Sequence, residues 1–360
     1  MKKGIIYIIL AFAAAVSCGS EAVEQQPSTF ADTITPADST QYSAVLRGYS
    51  RSRKGSVALI GESDRTRALA LNIMNYDRFE NTKGTYEKDF LNDFSGEIFD
   101  IIYDVANSPY EYNSDSLEAF NTIQVKNVIL ALDTLAYDSE KNLYDYVVKD
   151  PAKVVVLSSM YSDVASEIRK INKYYKHNIK VFEQGTVLRE YISSRYTENS
   201  YIAVWGRKET LEGEFYHDMA TSLGLRTYSA MDFETDWKSA KEETDTLLFR
   251  YLDTLASRRP HSKVSCVVID DHTLAQRASA LNAKIATLTQ SEDPAILKYA
   301  NLLAKDFRFI NPMDVISGEL YKYMRQENLF THRVDTPLFT SFVTLNNGGE
   351  YALANFTYGQ

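Results

Sequence analysis

One stretch of the sequence, residues 201–224, constrains the fold of this chain more than any other. It begins with an apolar run at 201–205 and continues through a polar turn at 207–210. Three apolar side chains then recur every four residues, at Phe215, Met219 and Leu223. This spacing predicts a helix with one apolar face, and Gly224 stands where a left-handed residue would end it. A chain that repeats strand, turn, helix and strand builds a parallel sheet covered by helices.

The same alternation continues on both sides of this stretch. Short apolar runs predict strands at 57–60, 98–103, 154–157, 179–182, 225–229, 264–269 and 285–288. Helices with an apolar face are predicted between them, including a long one at 236–257 and one that starts at Pro294 and takes in Leu303. Asn311 and Pro312 are typical of the start of a further helix. We therefore predict an α/β fold with two doubly wound parallel-sheet halves.

The C-terminal segment differs from the rest of the chain. Residues 338–345 and 351–356 are rich in strand-forming side chains and flank the turn sequence Asn346-Asn347-Gly348-Gly349. This pattern predicts a C-terminal β-hairpin extension. A protein partner that docks on residues 338–356 is one consequence that we consider.

The length of 360 residues suits two domains of ordinary size. We place the first α/β domain at 55–182 and the second at 183–310, with a crossing helix and the hairpin at 311–360. Residues 19–54 are polar and show little periodicity, which predicts a flexible linker.

The N-terminus has the features of an export signal. Lys2 and Lys3 precede an apolar run from Ile5 to Val16, which is of signal-peptide length and too short to span a bilayer comfortably. Small residues then lead to Cys18, and the pattern resembles the lipobox of bacterial lipoproteins, in which this cysteine is acylated. The resemblance implies a signal peptide at 1–18 and a lipid anchor that holds the protein to a bilayer of the bacterial cell envelope. An ordinary cleaved signal with an incidental cysteine is the alternative.

Several classes of function find no support in the sequence. It contains no glycine-rich dinucleotide fingerprint, no phosphate loop, no Gly-x-Ser-x-Gly elbow and no His-x-x-x-His pair. The five histidines are scattered, so neither a metal nor another cofactor is expected. A net charge of −9 argues against a nucleic-acid partner. Cys266 lies in an apolar run and is predicted to be a buried thiol.

Three polar turns follow predicted strands and are candidates for a ligand site. They are Glu62-Ser63, the turn at 158–161 and the turn at 270–273. Ligands of parallel α/β sheets bind at the carboxyl ends of the strands, where such turns lie.

At this point the chain resembles the aspartate/glutamate racemase superfamily. The segment 181–192, VFEQGTVLREYI, and the segment 201–219 match that family's order of strands, turns and helices, with Thr210, Glu212, Gly213 and Tyr216 at matching places. Residues 101–112 are similar to its strand and Pro-Tyr substrate loop, with Pro109 and Tyr110 in register. The resemblance implies two α/β halves with a small-molecule site between them.

The departures from the family pattern bear on activity. The segments VVVLSSMYS and VVIDDHT resemble the strands that carry the family's two catalytic cysteines, but Ser159 and Asp271 stand at those positions. A serine hydroxyl lacks the acidity of a thiol and needs an adjacent base to react. Racemisation by two thiols is therefore not supported.

The resulting candidate site combines residues from both halves. The predicted ligand-binding residues are Ser63, Tyr110, Ser159, Thr210 and Asp271. Hydroxyls and turn amides at strand ends suit a carboxylate, and Asp271 suits an amino group. The catalytic candidates are Ser159, Asp271 and His272, for which helix capping is the competing explanation.

Four functional hypotheses remain open. The first is a lipid-anchored protein that binds a small carboxylate or amino-acid-like ligand without turning it over. The second is a divergent isomerase, lyase or hydrolase that uses Asp271 as a single base. The third is a two-lobed solute-binding lipoprotein, whose chain would cross between the lobes several times instead of twice. The fourth is an envelope protein that acts through a protein partner.

Overall fold

The architecture is that of a computed structural model, which describes residues 29–35, 40–79, 91–109, 116–138 and 145–356. Cys18, the whole predicted signal peptide and Tyr110 lie outside these residues. Among the described residues, none of the helices has both the length and the apolar character needed to cross a bilayer.

The first half is built on a large sheet. Its strands are β1 (Ser56–Gly61), β2 (Ile98–Tyr103), β3 (Leu135–Tyr137), β4 (Tyr146–Val148), β5 (Ala152–Leu157), β6 (Val181–Glu183), β12 (Leu338–Asn347) and β13 (Glu350–Asn355). Within the described chain they lie in the order β4-β3-β13-β12-β2-β1-β5-β6. The pairs β3–β4 and β12–β13 are antiparallel, and the other neighbours are parallel.

Helices cover both faces of this sheet. They are α3 (Ser63–Met74), α4 (Leu117–Ala131) and α5 (Ala165–Tyr175), preceded by the short α1 (Phe30–Ile34) and α2 (Gln41–Gly48). Side chains of β1 alternate between two apolar cores, since successive residues of a strand point to opposite faces. Val57 and Leu59 belong to a core that continues into the second half, while Ala58 and Ile60 belong to the core under α4 and α5.

The flexible linker predicted at 19–54 is wrong for the residues that the structure describes there. Helices α1 and α2 pack on α5 and α4, with Ala31, Ile34 and Leu46 buried. The Tyr49 hydroxyl donates a hydrogen bond to the carbonyl oxygen of Ala152, at 3.0 Å. The few apolar residues of this segment are too widely spaced to form a recognisable pattern in the sequence, yet they cover part of the core under α4 and α5.

The second half is a smaller, all-parallel sheet. Its strands are β7 (Tyr201–Gly206), β8 (Arg226–Thr227), β9 (Phe233–Glu234), β10 (Val264–Asp270) and β11 (Leu303–Ile310). They lie in the order β11-β10-β7-β8, with β9 paired to the end of β7. The surrounding helices are α7 (Lys208–Glu212), α8 (Phe215–Ser222), α9 (Thr244–Arg258), α10 (His272–Ala275), α11 (Ala278–Leu288) and α12 (Pro294–Ala300). The predicted α/β fold with two parallel-sheet halves is confirmed.

Over the residues that the structure describes, the chain passes between the two sheets twice. It leaves the first sheet after β6 through α6 (Gln184–Ser193) and returns after β11 through α13 (Pro312–Gln326), and these two helices pack against each other. After α13, the backbone amide of Thr331 donates to Glu97 Oε1 at 2.7 Å, and the other carboxylate oxygen of Glu97 pairs with the buried Lys153. This contact holds the returning chain against the first sheet.

The predicted C-terminal hairpin forms, but it is an integral part of the first sheet. Strand β12 pairs in parallel with β2, and β13 pairs with β12 and with β3. The Thr344 hydroxyl donates to the buried Asp104 at 2.8 Å, directly after β2. Gly348 and Gly349 have φ angles of +63° and +94°, which explains why glycine occupies the hairpin turn.

Strand β7, helix α8 and the left-handed Gly224 at φ +67° form as predicted in the stretch 201–224, but most of the polar turn predicted at 207–210 belongs to helix α7. The long helix predicted at 236–257 begins only at Thr244, and the strand predicted at 225–229 is reduced to the two residues of β8. Two further predictions are wrong. Residues 285–288 belong to helix α11 and not to a strand, and Leu303 begins strand β11 instead of continuing a helix. Both errors come from apolar runs that are too short to distinguish a helix from a strand.

A half-buried carboxyl group next to β7 makes the stability of the protein depend on pH. Asp232 accepts a hydrogen bond from the Val204 amide at 2.8 Å, and burial raises the pKa of its carboxyl group to about 6 despite this bond and the nearby Arg258. The folded state therefore binds a proton more readily than the unfolded state. The resulting stabilisation is complete below about pH 4 and is lost as the pH rises through 6.

We expect Asp232→Asn to remove this part of the pH dependence, because its amide oxygen still accepts from Val204 but carries no titrating proton. Between pH 4 and 6 the free energy of unfolding of the parent should decrease because of Asp232, by up to about 3 kcal/mol. This decrease should be absent in the variant. Urea unfolding followed at several pH values measures this. Identical slopes in parent and variant would show that Asp232 does not titrate in this range.

Candidate functional site at the junction of the two halves

An ion pair joins the strand ends of the two halves. Arg65, in the first turn of α3, lies with Nη1 2.8 Å from Oδ1 of Asp270, the last residue of β10. The side chain of Asp270 is only 8% exposed, so the guanidinium group neutralises a carboxylate that has little contact with water. The contact connects the two sheets at the carboxyl ends of their strands, where a ligand of this type of fold is expected.

Aromatic side chains form a second contact between the halves. Tyr161, in the loop after β5, packs edge-to-face on Phe215 of α8, with ring centroids 5.6 Å apart. Two glycines allow this close approach. A Cβ atom on Gly213 would lie 2.7 Å from the Tyr161 hydroxyl, and one on Gly185 would lie 2.1 Å from the Met160 carbonyl oxygen. Larger residues at either position would push the halves apart.

The tyrosine hydroxyls near this junction remain protonated. Tyr216 is buried, and its hydroxyl has no hydrogen-bond partner among the described residues. Burial raises its pKa well above the ordinary value, and the negative charge of Asp270 adds to the effect. The pKa of Tyr161 is raised by the same two causes. Neither phenol can therefore serve as a base near neutral pH.

The other predicted binding residues lie after the carboxyl ends of strands in the two sheets. Ser159 is buried, and its Oγ accepts a hydrogen bond from the Tyr161 amide at 3.1 Å. Thr210 packs on the end of β7, where a Cβ atom on Gly206 would lie 2.8 Å from its methyl group. Ser63 begins α3, and only its backbone is described. The role of these residues in ligand binding stays a prediction.

Asp271 caps a helix. Its Oδ1 accepts hydrogen bonds from the amides of Thr273 at 3.0 Å and Leu274 at 3.1 Å, in the first turn of α10. Its Oδ2 lies 3.4 Å from the Thr235 hydroxyl and 3.5 Å from Nε of Arg207. Both carboxylate oxygens thus have partners, and the residue is 6% exposed. The observed geometry is the N-cap arrangement weighed against catalysis in the sequence analysis.

His272 stands beside this cap in an environment that disfavours its charged form. Burial lowers the pKa of its imidazole, and the nearby Arg207 and Arg65 act in the same direction, while Asp271 opposes them. The ring is therefore neutral near pH 7. It is available as an uncharged hydrogen-bonding group.

The largest cavity near the junction lies next to Tyr161. It is an interdomain groove of about 940 Å³, bounded by the loop after β5, the start of α6 and residues 212–218. None of the predicted residues Ser159, Thr210 and Asp271 lines it. A groove of this size can hold a small ligand.

Charges of both signs line the interdomain groove. Arg169 of α5 and Arg189 of α6 are the cationic residues of its lining, and they lie on the side of the first half. The acidic residues lie on both sides of the groove and are Asp163, Glu183, Glu212, Glu214 and Asp218. Glu212 lies 3.6 Å from Lys208. This arrangement favours a ligand that carries both a negative and a positive group, since each would face the opposite charge.

Two buried polar groups of the interdomain groove were not predicted from the sequence. Ser162 is 4% exposed, and its Oγ has no hydrogen-bond partner among the described residues. Glu183, at the end of β6, accepts from the Val164 amide and from the Thr186 hydroxyl, the latter at 3.1 Å. Burial raises the pKa of the Glu183 carboxyl group. Ser162 stands five residues after the end of β5 and Glu183 is the last residue of β6, and polar residues near strand ends are too common to select these two from the sequence.

The described residues contain no group of three or more His, Cys, Asp or Glu side chains placed to hold a metal ion. Cys266 is buried in β10, and burial raises the pKa of its thiol to about 12. A thiol with this pKa is neutral at physiological pH and is a poor nucleophile.

No protein-family model matches the sequence, and no curated protein matches it. Solved structures similar to this chain are glutamate racemases. The RacE1 isoform from Bacillus anthracis is 12% identical, with a TM-score of 0.45 and coverage of 81% of this chain and 89% of the racemase. The enzyme from Francisella tularensis in complex with D-glutamate is 12% identical, with a TM-score of 0.43 and coverage of 82% and 90%.

The Escherichia coli enzyme, in complex with L-glutamate and the activator UDP-MurNAc-ala, is 12% identical, with a TM-score of 0.38 and coverage of 83% of this chain and 91% of that enzyme. All three TM-scores lie below 0.5, so the function of the site is inferred from its own geometry.

We expect the Arg65–Asp270 pair to stabilise the folded protein across the junction. Arg65→Met should lower the free energy of unfolding by about 1–3 kcal/mol, because it leaves the poorly hydrated Asp270 carboxylate unpaired. When Asp270→Asn is already present, adding Arg65→Met should change the free energy of unfolding much less, because no buried charge is left unpaired. A double-mutant cycle measured by urea unfolding gives the coupling between the two side chains, and a coupling near zero would contradict this role.

Proposed function

We propose that this chain is a lipid-anchored protein of the bacterial envelope that binds a small amino-acid-like or carboxylate ligand in its interdomain groove without turning it over. The observation that carries the binding proposal is the unpartnered hydroxyl of Ser162. A buried hydroxyl without a partner costs free energy, and a polar group of a ligand would remove that cost. The charged walls supply recognition of both ends of such a ligand.

The state of the predicted catalytic residues supports binding over turnover. Asp271 has both oxygens engaged by the α10 cap, Thr235 and Arg207, so use as a base would disrupt the start of that helix. The Ser159 hydroxyl accepts from an amide of its own loop. Proton abstraction requires a base that can reach the substrate, and neither residue lines the interdomain groove.

The path of the chain bears on the solute-binding alternative. Within the described residues, the connections between the two sheets are α6 and α13, and they pack against each other. The additional contacts between Arg65 and Asp270 and between Tyr161 and Phe215 also join the halves. Two crossings favour the first hypothesis, because a two-lobed solute-binding protein would cross more often.

Lipid anchoring is supported by the sequence alone. The charged start, the apolar run and the small residues before Cys18 agree with a lipoprotein signal. A protein partner on the hairpin also stays a prediction. Leu338 and Phe339 are 56% and 61% exposed, while Phe342 and Leu353 are buried, so the start of β12 is accessible, as is the turn at 346–350.

We expect ligands that carry both an amino and a carboxylate group to raise the melting temperature of the protein with dose. Binding to the folded state alone stabilises it by mass action, by about 2.7 kcal/mol at a ligand concentration one hundred times Kd. A thermal-shift screen of D- and L-amino acids, short peptides, dicarboxylates and sugars measures the effect. Arg189→Gln should weaken binding of an active ligand about tenfold or more by removing one charge-assisted contact.

Arg195→Gln is the matched control, since Arg195 is an exposed arginine just beyond the same helix and does not line the interdomain groove. It should leave the affinity unchanged. Equal effects of the two substitutions, or no stabilisation by any compound in the screen, would overturn the proposed site.

We expect Cys18→Ser to release the protein from the membrane fraction of the producing bacterium, since the acylated side chain would be lost. Mass spectrometry of the N-terminal peptide from the parent should detect a lipid-modified Cys18. An unmodified Cys18, or equal membrane association of parent and variant, would contradict lipid anchoring and leave ligand binding untouched.

A further inference from the structure

Helix α5 concentrates positive charge on its exposed face, although the whole chain has a net charge of −9. Arg169, which also borders the interdomain groove, and Lys173 lie one turn apart on the helix, with Lys170 and Tyr174 beside them. Lys176 follows as the left-handed C-cap residue of α5. Arg169, Lys173 and Lys176 are exposed, and none of them forms an ion pair with another described residue. These five residues are called the α5 face below.

The opposite side of the helix explains why this charge is not balanced locally. Ile168 and Ile171 are buried in the core under α4 and α5, and Glu167, the one acidic residue of α5, is also buried. Its carboxylate accepts a hydrogen bond from the Ala31 amide at 2.8 Å. The α5 face therefore carries no carboxylate of its own.

The N-terminal end of the described chain docks on the same helix. Lys170 pairs with Asp32 of α1 at 2.9 Å, and the Tyr175 hydroxyl donates to the Ile34 carbonyl oxygen at 3.0 Å. Thr29, the first described residue, therefore lies beside the α5 face. Ten residues lie between Cys18 and Thr29, and even a fully extended chain spans no more than about 40 Å from one to the other.

We propose that the α5 face is the surface that lies against anionic phospholipid headgroups and sets the orientation of the anchored protein. This proposal rests on lipid anchoring at Cys18. Unpaired cations near a negatively charged bilayer are attracted to it within a Debye length, about 10 Å, and a short tether keeps them close enough to reach that range. Tyr174, which is 54% exposed, has the amphipathic side chain favoured at a bilayer surface.

The test uses the lipidated full chain in vesicles of phosphatidylcholine with and without phosphatidylglycerol. A fluorophore is placed at Tyr174→Cys or, as a reference, at Leu297→Cys on α12; the native Cys266 is buried. Energy transfer to a lipid dye should be higher from position 174 in the anionic vesicles. The difference should be lost in high salt and in the triple variant Arg169→Glu, Lys173→Glu, Lys176→Glu.

The matched control is Lys238→Glu, Lys263→Glu, Lys305→Glu, which makes the same change of charge at exposed positions of the second half. It should retain the higher transfer at position 174. Equal transfer from both probe positions, or equal loss in both triple variants, would overturn the proposal.

A second experiment tests lipid binding by the α5 face independently of the acylation of Cys18. In the full chain with Cys18→Ser, sedimentation with anionic vesicles at low salt should be reduced by the α5 triple variant and not by the control variant. That result holds whether or not Cys18 is acylated in the parent. If both triple variants sediment to the same extent, the α5 face does not bind the lipid surface, even where mass spectrometry shows an acylated Cys18.

Discussion

The packing of α6 against α13 is the constraint on which the rest of the structure depends. Both helices connect the two sheets, so their contact fixes how the carboxyl ends of the strands face each other. Val187, Leu188 and Ile192 of α6 and Ile316 and Leu320 of α13 belong to the apolar core that the two halves share. Because interiors of this kind are close-packed, a shift of either helix would be transmitted to both strand edges.

This arrangement explains why the interdomain groove lies apart from the binding residues that the sequence suggested. The ends of β1 and β10 are joined by Arg65 and Asp270, and the loop after β5 inserts Tyr161 between the halves. These contacts close part of the space in which Ser159 and Asp271 were expected to face a ligand. The interdomain groove stays open among the described residues, and Ser162 and the charged side chains lie there. This geometry supports the proposed binding without turnover, since the strand-end residues hold the two halves together.

Local patterns in the sequence were sufficient for much of the fold. The apolar spacing of 201–224 identified β7, α8 and the left-handed Gly224, and Asn311 and Pro312 marked the start of α13. The short apolar run at 285–288 was misread because Leu281 and Ile285 continue the buried face of α11. Strand β11 was missed because it lies at the edge of its sheet and carries Lys305, Asp306 and Arg308. The partnership of Arg65 with Asp270 depends on tertiary structure over 205 residues, and no local pattern indicates it.

The proposed groove binds its ligand without chemistry at the α-carbon of that ligand. Proton NMR in deuterated water tests this directly with any amino-acid ligand that the thermal screen identifies. We expect the α-proton signal to persist during prolonged incubation with the protein, because no base reaches this proton. Loss of the signal would contradict binding without turnover. If Asp271→Asn, which can still accept the two amide hydrogen bonds of the α10 cap, prevented that loss, Asp271 would be the base.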